Sequence, residues 1–188
     1  QESVMHNFRL NLLIPGLLVL ILAILTMHSA IAEDYERGLS AYNRADYETA
    51  LLEWDVLAQF GEPKAQFGLG VMHTFGQGVP QDHTRAMDWY RRAAERGHAG
   101  AQLFLGHGLE SGNGAEQNLE EAFFWFLRAA EQGESRAQNN LGRLYETGRG
   151  TDPDPDIALY WYEESARKGN ANARKNLARL HGNTSPEK

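Results

Sequence analysis

Residues 99–134 read AGAQLFLGHGLESGNGAEQNLEEAFFWFLRAAEQGE. Moved 36 positions toward either terminus, the pattern falls on residues 63–98 and 135–170 without a gap. The matches run in columns: Ala65, Ala101, Ala137 and Ala173; Leu69, Leu105, Leu141 and Leu177; Gly70, Gly106 and Gly142; Trp89, Trp125 and Trp161; Gly97, Gly133 and Gly169. A fixed period of this length is the signature of a repeat architecture, in which no unit buries its apolar face alone and stacking supplies the core.

Each unit reads as two helices. The first carries small and apolar residues at helical spacing, such as Ala65, Leu69 and Met72, and stops at Gly76, where glycine can adopt the left-handed backbone that ends a helix. The second opens at Asp82, Asn118 and Asp154, whose side chains suit the N-cap. Asn118 with Glu121 approximates a capping box, and Pro155 stands at the favoured first helical position. Ala86, Trp89, Tyr90, Ala93 and Ala94 form one stripe, with the tryptophan expected to fill the space beside the alanines. The fold expected is therefore all-α, a solenoid of helix-turn-helix repeats.

The run A-Q-x-x-L-G-x-x-x-x-x-G-x-G followed by A-x-x-W-[YF]-x-x-A-A-x-x-G resembles the Sel-one-like repeat, a branch of the tetratricopeptide superfamily, over roughly residues 35–188. The resemblance implies an α-solenoid that acts as a protein-binding scaffold or adaptor, often in bacterial envelope and signalling systems.

Outward from the repeats, residues 33–62 read as an atypical first repeat. Ala50 and Gly61 keep the period with Ala86 and Gly97, and the first helix fits only if the loop between the helices is about four residues shorter. Repeats then occupy residues 63–98, 99–134 and 135–170, and residues 171–188 supply a capping helix and tail. Residues 1–32 differ from all of this. Arg9 precedes an apolar run from Leu12 to Leu25, short for a membrane span, and Ala30-x-Ala32 follows. That pattern predicts a signal peptide cleaved after Ala32 and a periplasmic or secreted protein. The alternative is an anchor formed by residues 10–27, making a membrane-tethered regulatory adaptor.

Composition excludes several functions. The chain of 188 residues has a net charge of −7, against the basic face that nucleic acid requires, and no cysteine, which removes disulfides, thiol catalysis and thiolate metal sites. His73, His83, His98 and His107 form no i, i+4 pair of the kind zinc uses. Asp152, Asp154 and Asp156 offer oxygen ligands for calcium but lack the glycine and distal glutamate of a binding loop. The G-x-G pairs follow helices rather than strands, so they are no dinucleotide fingerprint. No cofactor is expected.

Function is expected on the concave face lined by the first helices. Rotating each helix at 100° per residue places Tyr35, Leu39, Tyr42, Phe67, Val71, Phe75, Leu103 and His107 at an apolar end, and Arg136, Asn139, Arg143, Lys175 and Arg179 at a basic end. Such a groove would take an extended protein segment, with its carboxylates at the arginines. The competing expectation is that the apolar residues pack between units and the arginines pair with glutamates. Phe123, Phe124 and Leu127 make a second candidate patch, or are covered by the neighbouring unit. A cell-wall-binding or hydrolytic enzyme remains the alternative class, with Glu110 and Glu146 its only candidate carboxylates.

Overall fold

The computed structural model describes residues 31–183 as nine α-helices, with no strand among the described residues. Asp82, Asn118 and Asp154 lie in extended backbone and turn a side-chain oxygen onto a free amide of the first turn: Asp82 accepts from Arg85 N (2.9 Å), Asn118 from Glu121 N (3.0 Å), Asp154 from Asp156 N and Ile157 N (both 3.0 Å). These caps start α4 (His83–Glu95), α6 (Leu119–Glu131) and α8 (Pro155–Arg167). The capping box at Asn118 is only half formed: the Glu121 carboxylate turns away and accepts from Arg91 and from Trp125 Nε1.

The first helices are α3 (Pro63–Phe75), α5 (Ala99–Ser111), α7 (Ser135–Thr147) and α9 (Ala171–Asn183). The three that precede a glycine end as expected, with Gly76, Gly112 and Gly148 left-handed at φ 67°, 74° and 68°. Each amide bonds the carbonyl four residues back. Their starts use a mixed set of caps: Glu62, His98, Glu134 and Asn170 each accept from an amide of the first turn. The remaining helices are α1 (residues 31–43) and α2 (Tyr47–Gln59). The expected signal segment lies outside the described residues up to position 30. From 31 to 43 the helix is continuous, and no described helix is long and apolar enough to cross a membrane.

The chain divides into two compact units, one up to Leu57 and one from Ala58 onward. In the first, Ala41, Ala50 and Trp54 are buried, and Trp54 packs against Tyr35 and Tyr42 with ring centroids 6.0 and 5.4 Å away. Arg37 bonds both carboxylate oxygens of Glu53 at 3.2 Å.

In the second unit each helix packs on its neighbours in sequence, which is how a stack of hairpins is held. The deepest aromatic column is not the tryptophan. Phe126 and Tyr162 are fully buried and Tyr90 nearly so, whereas Trp89 and Trp161 are half-buried and Trp125 keeps 8 % of its surface. The reason lies in the facing glycines. A Cβ built on Gly70, Gly106 or Gly142 would stand 2.5, 2.8 or 2.8 Å from the ring of Tyr90, Phe126 or Tyr162, so each ring lies where a side chain would otherwise be. Gly38 meets Trp54 at 2.5 Å in the same way, sixteen positions on rather than twenty. Trp54 thus belongs to the Tyr90 column.

Two further contacts fasten repeat to repeat within this unit. The glutamine after each column alanine is buried and donates Nε2 to a carbonyl of the preceding second helix: Gln66 to Ala58 O (3.0 Å), Gln102 to Ala94 O (3.1 Å), Gln138 to Ala130 O (3.2 Å). The second glycines of the later two G-x-G pairs, Gly114 and Gly150, permit close backbone approach. A Cβ on Gly114 would meet His83 O at 2.3 Å, and one on Gly150 would meet Leu119 O at 2.2 Å. The loops that follow α5 and α7 therefore sit on the starts of α4 and α6.

Candidate functional site

The expected groove residues meet different fates. In the first unit Tyr35 and Tyr42 pack around Trp54, and Leu39 is half-buried. In the second, Leu103 is a correction: it is 1 % exposed and part of the core, so it lines no surface. Phe67 and Val71 are half-buried against the same core. The Phe67 ring stacks on His98 (4.5 Å) and meets Phe104 edge-on (5.7 Å). Phe75 alone of the apolar set stands out, 60 % exposed. His107 is at the surface, where the Asn140 amide donates to its Nε2 (3.1 Å) and the ring meets Phe126 edge-on (5.1 Å).

At the basic end the arginines are paired with glutamates, the competing expectation. Arg143 donates to Glu110 (2.8 Å), with Arg149 also beside that carboxylate (3.3 Å). Arg179 donates to Glu146 (2.7 Å), and Arg136 to Glu134 (3.1 Å). Asn139 accepts from Asn176 (3.1 Å), and Lys175 is exposed. The Arg143 and Arg179 pairs join residues 33 positions apart, one helical turn short of the repeat, so each glutamate meets the arginine of the next unit. Burial alone would raise the Glu110 carboxyl. The Arg143 hydrogen bond and the charges of Arg143 and Arg149 outweigh it and hold the group below the ordinary carboxylate value. At Glu146 the same opposition is settled by donors from Tyr162 OH (2.7 Å) and Arg179. The two carboxylates proposed for hydrolysis are therefore structural partners of arginines.

The second patch is split. Phe123 is half-buried edge-on against Tyr145 (5.4 Å), and Leu127 is half-buried on the core. Phe124 is 48 % exposed, its ring edge-on to Trp125 (4.9 Å). Among the described residues no three His, Cys, Asp or Glu side chains converge. His73 is buried with Nδ1 lacking a hydrogen bond, and burial lowers its pKa. Asp154 is engaged as a helix cap.

Column reading missed one feature. A cleft of about 120 Å³ opens between residues 63–98 and 99–134, lined among others by Thr74, His83, Tyr90, His107, Ser111 and Asn113. Its signal is an exception to the repeat: Thr74, His107 and Gly108 stand where the next unit has Glu110, Arg143 and Leu144.

With this geometry in hand, comparison with known proteins is informative. The Sel1 repeat model matches residues 63–98, 99–134 and 135–170. A solved Sel1 repeat protein from Oxalobacter formigenes is 38 % identical over 69 % of this chain and 98 % of its own, with a TM-score of 0.65. The protective antigen c5321, present in uropathogenic Escherichia coli strains and displaying an SLR fold, is 31 % identical over 81 % of this chain, with a TM-score of 0.77. This chain spans 34 % of that antigen's length. Helicobacter pylori cysteine-rich protein B shares the fold at 18 % identity and a TM-score of 0.56, over 70 % of this chain and 95 % of its own. No curated protein matches the chain in sequence.

Proposed function

The chain belongs to the Sel1 repeat family, and from that premise we propose that it is a non-catalytic scaffold that holds a segment of a partner protein on the face made by its first helices. Sel1 repeats generally mediate protein–protein interaction, and this chain's surface suits that role. The observation that carries the reading is the ladder of ion pairs, Glu110 to Arg143 and Glu146 to Arg179, which locks neighbouring first helices together. A face fixed in this way loses little conformational freedom when a segment settles on it. The exposed Phe75 and Lys175 supply apolar and cationic contacts on that face.

The place of action proposed is the cell envelope. Arg9, the apolar run to Leu25 and the Ala30-x-Ala32 motif support export with cleavage after Ala32, and a chain without cysteine needs no oxidative step to fold there.

The test is crosslinking in intact cells, followed by identification of the captured protein and N-terminal sequencing of the mature chain. Wild type should capture a discrete partner, Phe75→Ser with Lys175→Glu should reduce its recovery about tenfold, and sequencing should begin at Glu33. Equal recovery by the double variant would discard the first-helix face, and an intact N-terminus would discard the cleaved signal.

A further inference from the structure

The three junctions between successive first helices of the second unit share one layout. The residue one position before the end of each first helix is Thr74, Glu110 or Glu146. At corresponding positions of the repeat stand an aromatic of the same repeat, Tyr90, Phe126 or Tyr162, and a donor residue of the next, His107, Arg143 or Arg179. At the last junction Glu146 Oε2 accepts from Tyr162 OH and from Arg179 Nη2, both at 2.7 Å. At the middle junction Glu110 accepts from Arg143 at 2.8 Å. Twice, then, this niche holds a carboxylate supplied by the chain itself.

At the first junction the chain supplies none. Thr74 stands in place of the glutamate. Its hydroxyl donates to Gly70 O (2.9 Å), so Tyr90 OH, 2.8 Å away, is the donor in their contact. Tyr90 corresponds to Tyr162, and His107 occupies the arginine position. His107 Nε2 accepts from Asn140, which places the proton of the neutral ring on Nδ1 and leaves the imidazole a donor. Asn113 replaces Arg149 and Gly108 replaces Leu144. Met87 fills the place that a side chain at Gly108 would take, and beside it opens the cleft of about 120 Å³, with Met87 and Phe104 as its apolar wall. A liquid water molecule takes roughly 30 Å³, so the space admits a carboxylate with its first one or two methylenes.

We propose that this cleft is the specificity pocket of the scaffold: it receives one carboxylate from the bound partner, completing with a foreign acid the contact that Glu146 makes internally. The carboxylate exchanges into the Tyr90 hydroxyl bond now made to Thr74 and accepts from the His107 imidazole. Its source is an Asp or Glu side chain or a chain terminus. The proposal rests on the scaffold reading for its partner, but the pocket can be tested without one.

The full chain is titrated with N-acetylglutamate methylamide, N-acetylglycine and the neutral N-acetylglutamine methylamide, reading the His107 and Tyr90 resonances by NMR. At least one of the two acids should give saturable shifts about tenfold tighter than the amide. The glutamate derivative alone would identify a side-chain source, and acetylglycine alone a terminal one. Thr74→Glu places an internal carboxylate in the niche and should abolish the shifts while keeping the melting temperature at or above wild type. If that variant does not fold, Tyr90→Phe decides, since Phe126 shows that the ring position accepts phenylalanine; it should weaken the acid several-fold. Binding of the amide as tight as the acids, or undiminished acid binding by Thr74→Glu or Tyr90→Phe, would overturn the pocket. Recovery of the cellular partner by Thr74→Glu at the wild-type level also overturns it and leaves the scaffold standing. Capture of nothing by wild type sinks the scaffold, and the titration still reads the pocket.

Discussion

Phe126 has no surface and Trp125, beside it in the chain, keeps a little, and that difference reverses the order in which their identities attract notice. The tryptophan repeats unchanged at 89, 125 and 161, while the next column varies from Tyr90 to Phe126 to Tyr162. Column identity therefore points to the wrong residue. The indole Nε1 of Trp125 needs a polar partner and finds it in Glu121 at 3.1 Å, which keeps one edge near the surface. The neighbouring ring has no such need in Phe126 and fills the hollow over Gly106. Phe126→Ala should cost about 3–5 kcal/mol, and Trp125→Ala less. Gly106→Ala, whose new methyl would meet the Phe126 ring at 2.8 Å, should cost about 1–3 kcal/mol by overpacking. Urea melts of the three variants rank them; a Trp125→Ala loss larger than that of Phe126→Ala would return the tryptophan to the centre of the core.

The helices themselves were legible because one period carries both their stops and half of their starts. Left-handed glycines end the first helices, and Asp82, Asn118 and Asp154 begin the second ones, all from residue types that serve one purpose. The starts of the first helices were not legible, since Glu62, His98, Glu134 and Asn170 share a position but, apart from the two glutamates, no chemistry. His98 is the informative member. Its Nδ1 accepts from Ala101 N at 3.1 Å, which requires that nitrogen to be unprotonated, and the ring stacks on Phe67. Burial, helped by the charge of Lys64, pushes its pKa below 6.5. The unfolded chain thus binds the proton more readily than the folded one. The cap's contribution is present above the ordinary imidazole value and is lost as pH falls through the lowered one. Stability of wild type should decline between about pH 7 and pH 5 more steeply than that of His98→Asn, which keeps a cap that does not titrate. Parallel profiles from chemical denaturation would show that His98 carries no such linkage. The site was half legible for a related reason. Arg143 and Arg179 stand on the first helices α7 and α9, but their partners lie 33 positions away rather than 36, an offset that only the stacking of one helix against the next reveals.

At the scale of the whole molecule, packing order follows chain order through the second unit, from α3 against α4 to α8 against α9. Stability in such a stack is a sum of intrinsic terms and nearest-neighbour terms, so protection need not be uniform. The helices α5 and α6 lie inside the largest buried cluster, with Leu103, Leu105, Leu109, Phe126 and Ala129 all contributing. By contrast α9 packs on α8 and buries Ala173, with Leu177 and Leu180 only half covered. What holds its start is polar: Asn170 caps Asn172 N at 3.0 Å and donates to Ser135 O at 3.2 Å. Hydrogen exchange followed by mass spectrometry should therefore give a gradient, with amides of α9 opening first, those of α7 and α8 later, and those of α5 and α6 close to the rate of global unfolding. Asn170→Ala removes both the cap and the tie to Ser135, and should speed exchange in α9 by about fivefold to thirtyfold, the equivalent of about 1–2 kcal/mol, while leaving α5 unchanged. One common rate from α3 to α9, moved everywhere by that substitution, would mean that the repeats open as a single block and that nearest-neighbour coupling is strong enough to erase the ends.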